Sequence, residues 1–200
     1  MISFFRVIVF MKHKHIILRI SIFLFLFNMI QIQTVAQSEN KLGVYFEFQA
    51  YPTGLIPGLR IEKDINEKSS IHLRLGYNFI RHGSKGVHED ERGDGYGFTL
   101  GYKRHFNEGH KGLFLGLRND IWFNSLEWQD NIDNVDFVMG QTDVTVVQPT
   151  LEAGYSFVSS NGWVVSPSIA FGFEINAKTD GSEVGEGAIL LLGVQLGKRF

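Results

Sequence analysis

The chain has 200 residues, no cysteine, 18 phenylalanines and a formal net charge of −2. That length suits one domain and leaves no room for a second. The missing cysteine excludes a disulfide framework, a thiolate metal site, a cysteine nucleophile and a lipid-anchored amino-terminal cysteine.

The first predicted element is a signal peptide over residues 1–36. The basic cluster Lys12, His13, Lys14 and His15 precedes the apolar run from Ile16 to Ile30, which is broken by Arg19. A polar stretch then ends in Thr34-Val35-Ala36-Gln37, where the small Ala36 predicts cleavage before Gln37. Met11 offers a second start, and a retained membrane helix of about twenty apolar residues is the alternative reading. Cleavage removes Arg6, Lys12, Lys14 and Arg19 and no acid, which moves the formal charge from −2 to −6. The mature domain, residues 37–200, then lacks the basic stripe that a phosphate backbone attracts, so nucleic acid is not an expected partner.

From Lys41 onward, apolar residues recur at every second position in segments of about ten residues, the period of a strand with two unlike faces. Leu42, Val44, Phe46 and Phe48 oppose Tyr45, Glu47 and Gln49 in the first segment. Leu59 and Ile61 oppose Arg60 and Glu62 in a short second. Ile71, Leu73, Leu75, Tyr77 and Phe79 alternate with His72, Arg74, Gly76, Asn78 and Ile80 in the third. Tyr96, Phe98, Leu100 and Tyr102 oppose Gly97, Thr99, Gly101 and Lys103; Leu113, Leu115 and Leu117 oppose Gly116, Arg118 and Asp120. In the sixth, Val147, Leu151, Ala153, Tyr155 and Phe157 oppose Gln148, Thr150, Glu152, Gly154 and Ser156. In the seventh, Trp163, Val165, Ile169, Phe171 and Phe173 oppose Ser166, Ser168, Gly172 and Glu174. Leu190, Leu192, Val194 and Leu196 oppose Gly193, Gln195, Gly197 and Arg199 in the eighth and last.

Connections of two kinds alternate. Residues 63–69, 107–112 and 158–162 are short, whereas 81–94, 125–143 and 177–186 are long and polar; the brief Tyr51-Pro52-Thr53-Gly54 turn is the exception. With both termini in the periplasm, the long connections all fall outside, as bacterial outer-membrane barrels require. Apolar residues then face lipid. The inner set contains Glu47, Glu62, Asp120, Glu152 and Glu174 with Arg60, Arg74, Lys103, Arg118 and Arg199, a balanced complement for a lumen only wide enough for side chains. Tyr51, Tyr77, Tyr96, Tyr102, Phe123, Tyr155, Trp163 and Phe173 are candidates for interfacial girdles. Pro149 and Pro167 fall inside strands and call for bulges, and Asn119 on the lipid face calls for a place near an interface.

The alternation of residues 41–200 and the carboxy-terminal Leu192, Val194, Leu196 and Phe200 resemble the small OmpA/OmpX-type outer-membrane barrel families. The resemblance implies an eight-stranded antiparallel up-and-down transmembrane β-barrel in the outer membrane of a Gram-negative bacterium. It also implies that the terminal residues are the signal presented to the barrel-assembly machinery, with Lys198 a departure from the pattern.

No catalytic, cofactor or metal residues are assigned. His72 and His105 fall on the inner face, where symmetric pairing would set them side by side, but two imidazoles fall short of the three or four ligands of a zinc site. Asp130, Asp133, Asp136 and Asp143 lie in a stretch free of Lys and Arg, without the order of ligands or central glycine of a calcium loop. Ser166 and Ser168 have no histidine near them in the pattern to act as base. The expected function is a non-enzymatic barrel with outer-membrane lipid as its surroundings and an extracellular ligand or partner at the acidic 125–143 loop. The alternatives are a narrow pore, a soluble exported barrel holding an apolar ligand, and an enzyme acting on lipid.

Overall fold

The computed structural model describes residues 41–132 and 135–200; the signal peptide expected over residues 1–36 and Asp133 lie outside them. Eight strands run β1 Leu42–Tyr51, β2 Gly54–Asn66, β3 Ser69–Arg81, β4 Asp90–His105, β5 Gly112–Asp130, β6 Val138–Val158, β7 Trp163–Asp180 and β8 Gly187–Arg199. Each pairs antiparallel with its neighbour in the chain, and β8 returns to β1 through Phe46 opposite Leu196 and Phe48 opposite Val194. The ring leaves no sheet edge in its wall, so the backbone N–H and C=O groups find partners within the protein.

The alternation sets the faces. Leu59, Leu75, Leu100, Leu115, Leu151 and Leu192 are all exposed on the outside, while Arg60, Arg74, Thr99, Lys103, Asp120 and Gln195 are buried inside. A soluble barrel with an apolar cavity would need the reverse arrangement. The exterior band is bordered by aromatic pairs, Tyr77 with Phe79 and Tyr96 with Phe123 toward one end, and Tyr155 with Phe157 toward the other. Tyr51 is not part of either girdle: it packs against the interior apolar cluster and donates to Asn78 Oδ1 at 2.8 Å. Lys198 lies on the outward face beside Trp163 and Val44, with its ammonium 5.4 Å from the Phe200 ring centroid.

Several expectations change. β2 is not short: it has 13 residues and includes Pro57. Of the stretches read as loops, 125–143 is mostly strand, since β5 runs on to Asp130 and β6 begins at Val138, while 81–94 and 177–186 are loops shortened by strand at their ends, β4 beginning at Asp90 and β7 reaching Asp180. Above the apolar band the faces invert. Ser125, Glu127 and Asp143 point out, while Leu126, Val144 and Val146 point in; with Trp122, Ile189, Leu191, Ile56, Ile80, Ala170 and Val184 they form an apolar core. Where water replaces lipid, the hydrophobic effect again favours an apolar interior.

The prolines need no bulge. In the β6–β7 pair the register is the same on both sides of Pro149 and Pro167, and its one shift falls between Thr145 and Val146. Each proline faces that seam, where the ladder skips a pair of bonds, and Pro57 does the same between β2 and β3. Asn119 stands opposite Leu100 and Pro149, within the apolar band and not at its edge; nothing in the structure explains a carboxamide there.

The two ends of the barrel differ. The short-turn end carries residues 67–68, 106–111 and 159–162, where Gly162 adopts φ 85, a left-handed conformation that glycine enters without steric cost. The hairpin end carries residues 52–53, 82–89, 131–132, 135–137 and 181–186.

Candidate functional site

The middle of the lumen is filled by charge. Glu47 of β1 sits among three guanidiniums: Arg60 Nε at 3.0 Å, Arg74 Nη1 at 3.1 Å and Arg118 Nη1 at 2.9 Å. Asp120 answers Arg74 Nη2 at 2.8 Å and Arg118 Nη2 at 3.0 Å, and accepts from Thr99. Glu152 lies 3.7 Å from Arg118 and 3.9 Å from Arg60. Lys103 Nζ is 3.5 Å from Glu62 and donates at 2.6 Å to Gln195, whose amide donates to Glu47 at 3.1 Å. Glu47, Glu62, Asp120 and Glu152 thus meet Arg60, Arg74, Lys103 and Arg118, four acids against four bases. Buried charges require such pairing, because an unpaired one carries its full desolvation cost.

The other two residues of the predicted inner set lie elsewhere. Arg199 pairs with Asp64 at the short-turn end, and Glu174 stands opposite Gly187 near the hairpin end. The sequence reading missed Asp64 because it fell in a stretch read as a turn.

The histidines are also redistributed. His72 lies opposite Gly101, four residues along β4 from His105, because the β3–β4 hairpin is not symmetric about the loop assumed for it. Its ring covers Gly101, where a Cβ would collide with it, and its Nε2 accepts from Arg60 Nη2 at 2.5 Å. His105 instead approaches His110, with ring centroids 4.9 Å apart, and its Nε2 is 3.2 Å from Ser156 Oγ, which in turn accepts from Ser166 at 2.9 Å. A histidine therefore does stand near Ser166, through Ser156, contrary to the reading of the strand pattern. The other ring nitrogen, Nδ1, has no hydrogen-bond partner to orient the imidazole as a base.

At the hairpin end, the carboxylate of Glu91 gathers the surrounding loops. It accepts from Val87 N at 2.6 Å, His88 N at 3.1 Å and Gly185 N at 3.4 Å, and lies 2.7 Å from His82 Nδ1. Burial alone would raise its pKa, but the His82 contact and the three backbone donors outweigh that and hold it below the ordinary glutamate value. His88 stacks on Trp128 at 4.1 Å and reaches Asp130 Oδ2 at 2.7 Å. That hydrogen bond and one from Glu89 N lower the Asp130 pKa. Beyond this clamp, the tip of the β5–β6 hairpin exposes Ile132, Val135, Phe137, Val138 and Met139, the last at 68 % of its free surface.

No protein-family model and no curated protein matches the sequence. Solved structures do. A major outer membrane protein from Thermus thermophilus is 12 % identical with a TM-score of 0.52, over 82 % of this chain and all of that one. The outer membrane protein AlkL, in a solid-state NMR structure in lipid bilayers, is 10 % identical with a TM-score of 0.51, over 84 % of this chain and 95 % of that one. Both similarities are of fold: an eight-stranded transmembrane β-barrel of the outer-membrane type.

Proposed function

We propose that the chain is an integral outer-membrane barrel of a Gram-negative envelope, exported by its signal peptide, with a structural and surface-binding role and without catalysis. The observation that carries this reading is the pairing of an apolar exterior band with a lumen closed by the neutral network around Glu47. Such a barrel places the short turns in the periplasm and the long hairpins outside. Its surroundings are outer-membrane lipid. Leu192, Val194, Leu196 and Phe200, at the end of β8, are the residues offered to the barrel-assembly machinery.

The surface-binding part rests on the β5–β6 hairpin. Apolar side chains at an exposed tip, bordered by Asp130 and Asp136, suit contact with an external partner, and loops on a rigid scaffold are where function concentrates. Glu127 and Gln141 are directly paired, so residues 128–140 can be replaced by an Asn-Gly turn without opening the barrel. Cells carrying this deletion are expected to lose surface attachment while keeping the protein in the outer membrane. Unchanged attachment and unchanged envelope integrity would overturn the surface role.

The filled lumen speaks against a pore. Planar bilayers holding the purified barrel are expected to show no steady conductance.

A further inference from the structure

At the short-turn end, Glu62 and Asp64 of β2 and His110 of the β4–β5 turn bring two oxygens and a ring nitrogen within 4.8 Å of one another. Each side chain has its remaining polar atom held. Ser70 Oγ donates to Glu62 Oε1 at 2.8 Å, Arg199 donates to Asp64 Oδ2, and His110 Nε2 lies 2.8 Å from the carbonyl oxygen of Asn66. A carbonyl only accepts, so Nε2 carries a proton, and Nδ1 faces Asp64 Oδ1, 3.5 Å away.

That separation is too long for a good hydrogen bond, and Nδ1 has no other partner. The separation matches two ligands of one tetrahedral ion with bonds of about 2.0–2.2 Å, whose mutual distance is about 3.4 Å. His110 is 2 % exposed and its Nδ1 has no hydrogen-bond partner; Glu62 Oε2 is likewise without one, with Lys103 Nζ 3.5 Å off. The His110 backbone is held at φ 58, a conformation few non-glycine residues adopt. A ligand histidine whose other nitrogen donates to a backbone carbonyl, beside carboxylates with their own hydrogen bonds, is the usual outer shell of a metal site.

We propose that Glu62, Asp64 and His110 bind one divalent transition-metal ion, with zinc the best suited, and that water completes the coordination. An imidazole with two carboxylates favours zinc or manganese over calcium or magnesium, which prefer oxygen alone. Arg199 and Lys103 offset the two carboxylates, so the site is not a simple sink for cations. The strand pattern directed attention to His72 and His105, whereas the residue that meets the acids comes from the turn.

The test uses the full barrel, isolated folded in detergent and free of any affinity tag, titrated with zinc chloride in a calorimeter. One ion per barrel is expected for the native chain and for His88→Ala, which removes the histidine–carboxylate contact with Asp130 at the hairpin end. His110→Ala and Glu62→Gln are expected to weaken binding at least about tenfold, the lower bound for loss of a supporting group. No zinc binding by the native chain, or binding unchanged in both variants, would overturn the proposal. Should neither variant reach the folded form, cobalt absorbance in the His88→Ala barrel decides: ligand-field bands abolished by zinc support the site, and their absence refutes it.

Discussion

Glu47 on β1 and Arg74 on β3 meet 3.1 Å apart inside the barrel, although 27 residues separate them in the chain. The same carboxylate also serves Arg60 and Arg118. Glu47→Ala therefore leaves three buried guanidiniums without their shared partner. It is expected to destabilise the folded barrel by about 3–5 kcal/mol, with Glu47→Gln less harmful because its carboxamide oxygen still accepts. Urea unfolding in detergent, followed by tryptophan emission, measures the change. A loss under about 1 kcal/mol, the value of an exposed pair, would show that the network does not hold the lumen.

Leu151 faces outward between Leu117 and Phe171 in the apolar band. Leu151→Arg is expected to reduce folding stability in lipid vesicles by about 2–4 kcal/mol, the cost of a cation near the bilayer midplane. A barrel with a water-facing exterior would accept the same change with little effect. Reversible folding titrations in vesicles distinguish the two.

Glu91 contributes to stability at the hairpin end through its ionised form. Because its folded pKa is lowered, that contribution is present above the ordinary glutamate range, near pH 4.3, and is lost as pH falls through the lowered value. Amide protection of Val87 and His88 is therefore expected to persist through mildly acidic pH and to collapse only below the ordinary glutamate range. Glu91→Gln is expected to remove this acid step and to lower protection at neutral pH. Hydrogen exchange read by NMR checks both.

Much of the barrel was legible in the alternation of Ile71–Phe79 or Leu113–Leu117, because lipid outside and charge inside impose opposite demands on successive residues. The pattern became misleading at Trp122, Leu126, Val144 and Val146, where the strands leave the lipid and the apolar residues change face while the ladder continues. A reading that expected apolar residues outward assigned residues 125–143, Leu126 among them, to a loop and left Trp122, Val144 and Val146 without a face. Pro57 hid the first half of β2 for a similar reason, since proline in a strand reads as a break, yet the barrel tolerates it where one seam forgoes its bonds.

The candidate sites were less legible because they depend on register. Arg118 and Asp120 share a face by their spacing alone, but the meeting of Arg118 with Glu47 requires the ring to close. His110 shows the limit most clearly. It lies in a turn with no periodicity, and only the folded ends of β2 and β4 bring it to Asp64. Glu174 carried the same alternation as the network acids and sits outside the network, because strand spacing fixes the face a residue occupies and not its height along the barrel.

Residues 41–200 are proposed to form a closed barrel embedded in the outer membrane with its apolar band in lipid. The most direct measurement is fractionation of cells expressing the full-length chain, followed by gel mobility of detergent samples loaded unheated and boiled. Recovery with the outer membrane is expected, in a folded form whose mobility shifts on boiling. Recovery as a soluble periplasmic protein, with no heat-dependent shift, would contradict that placement.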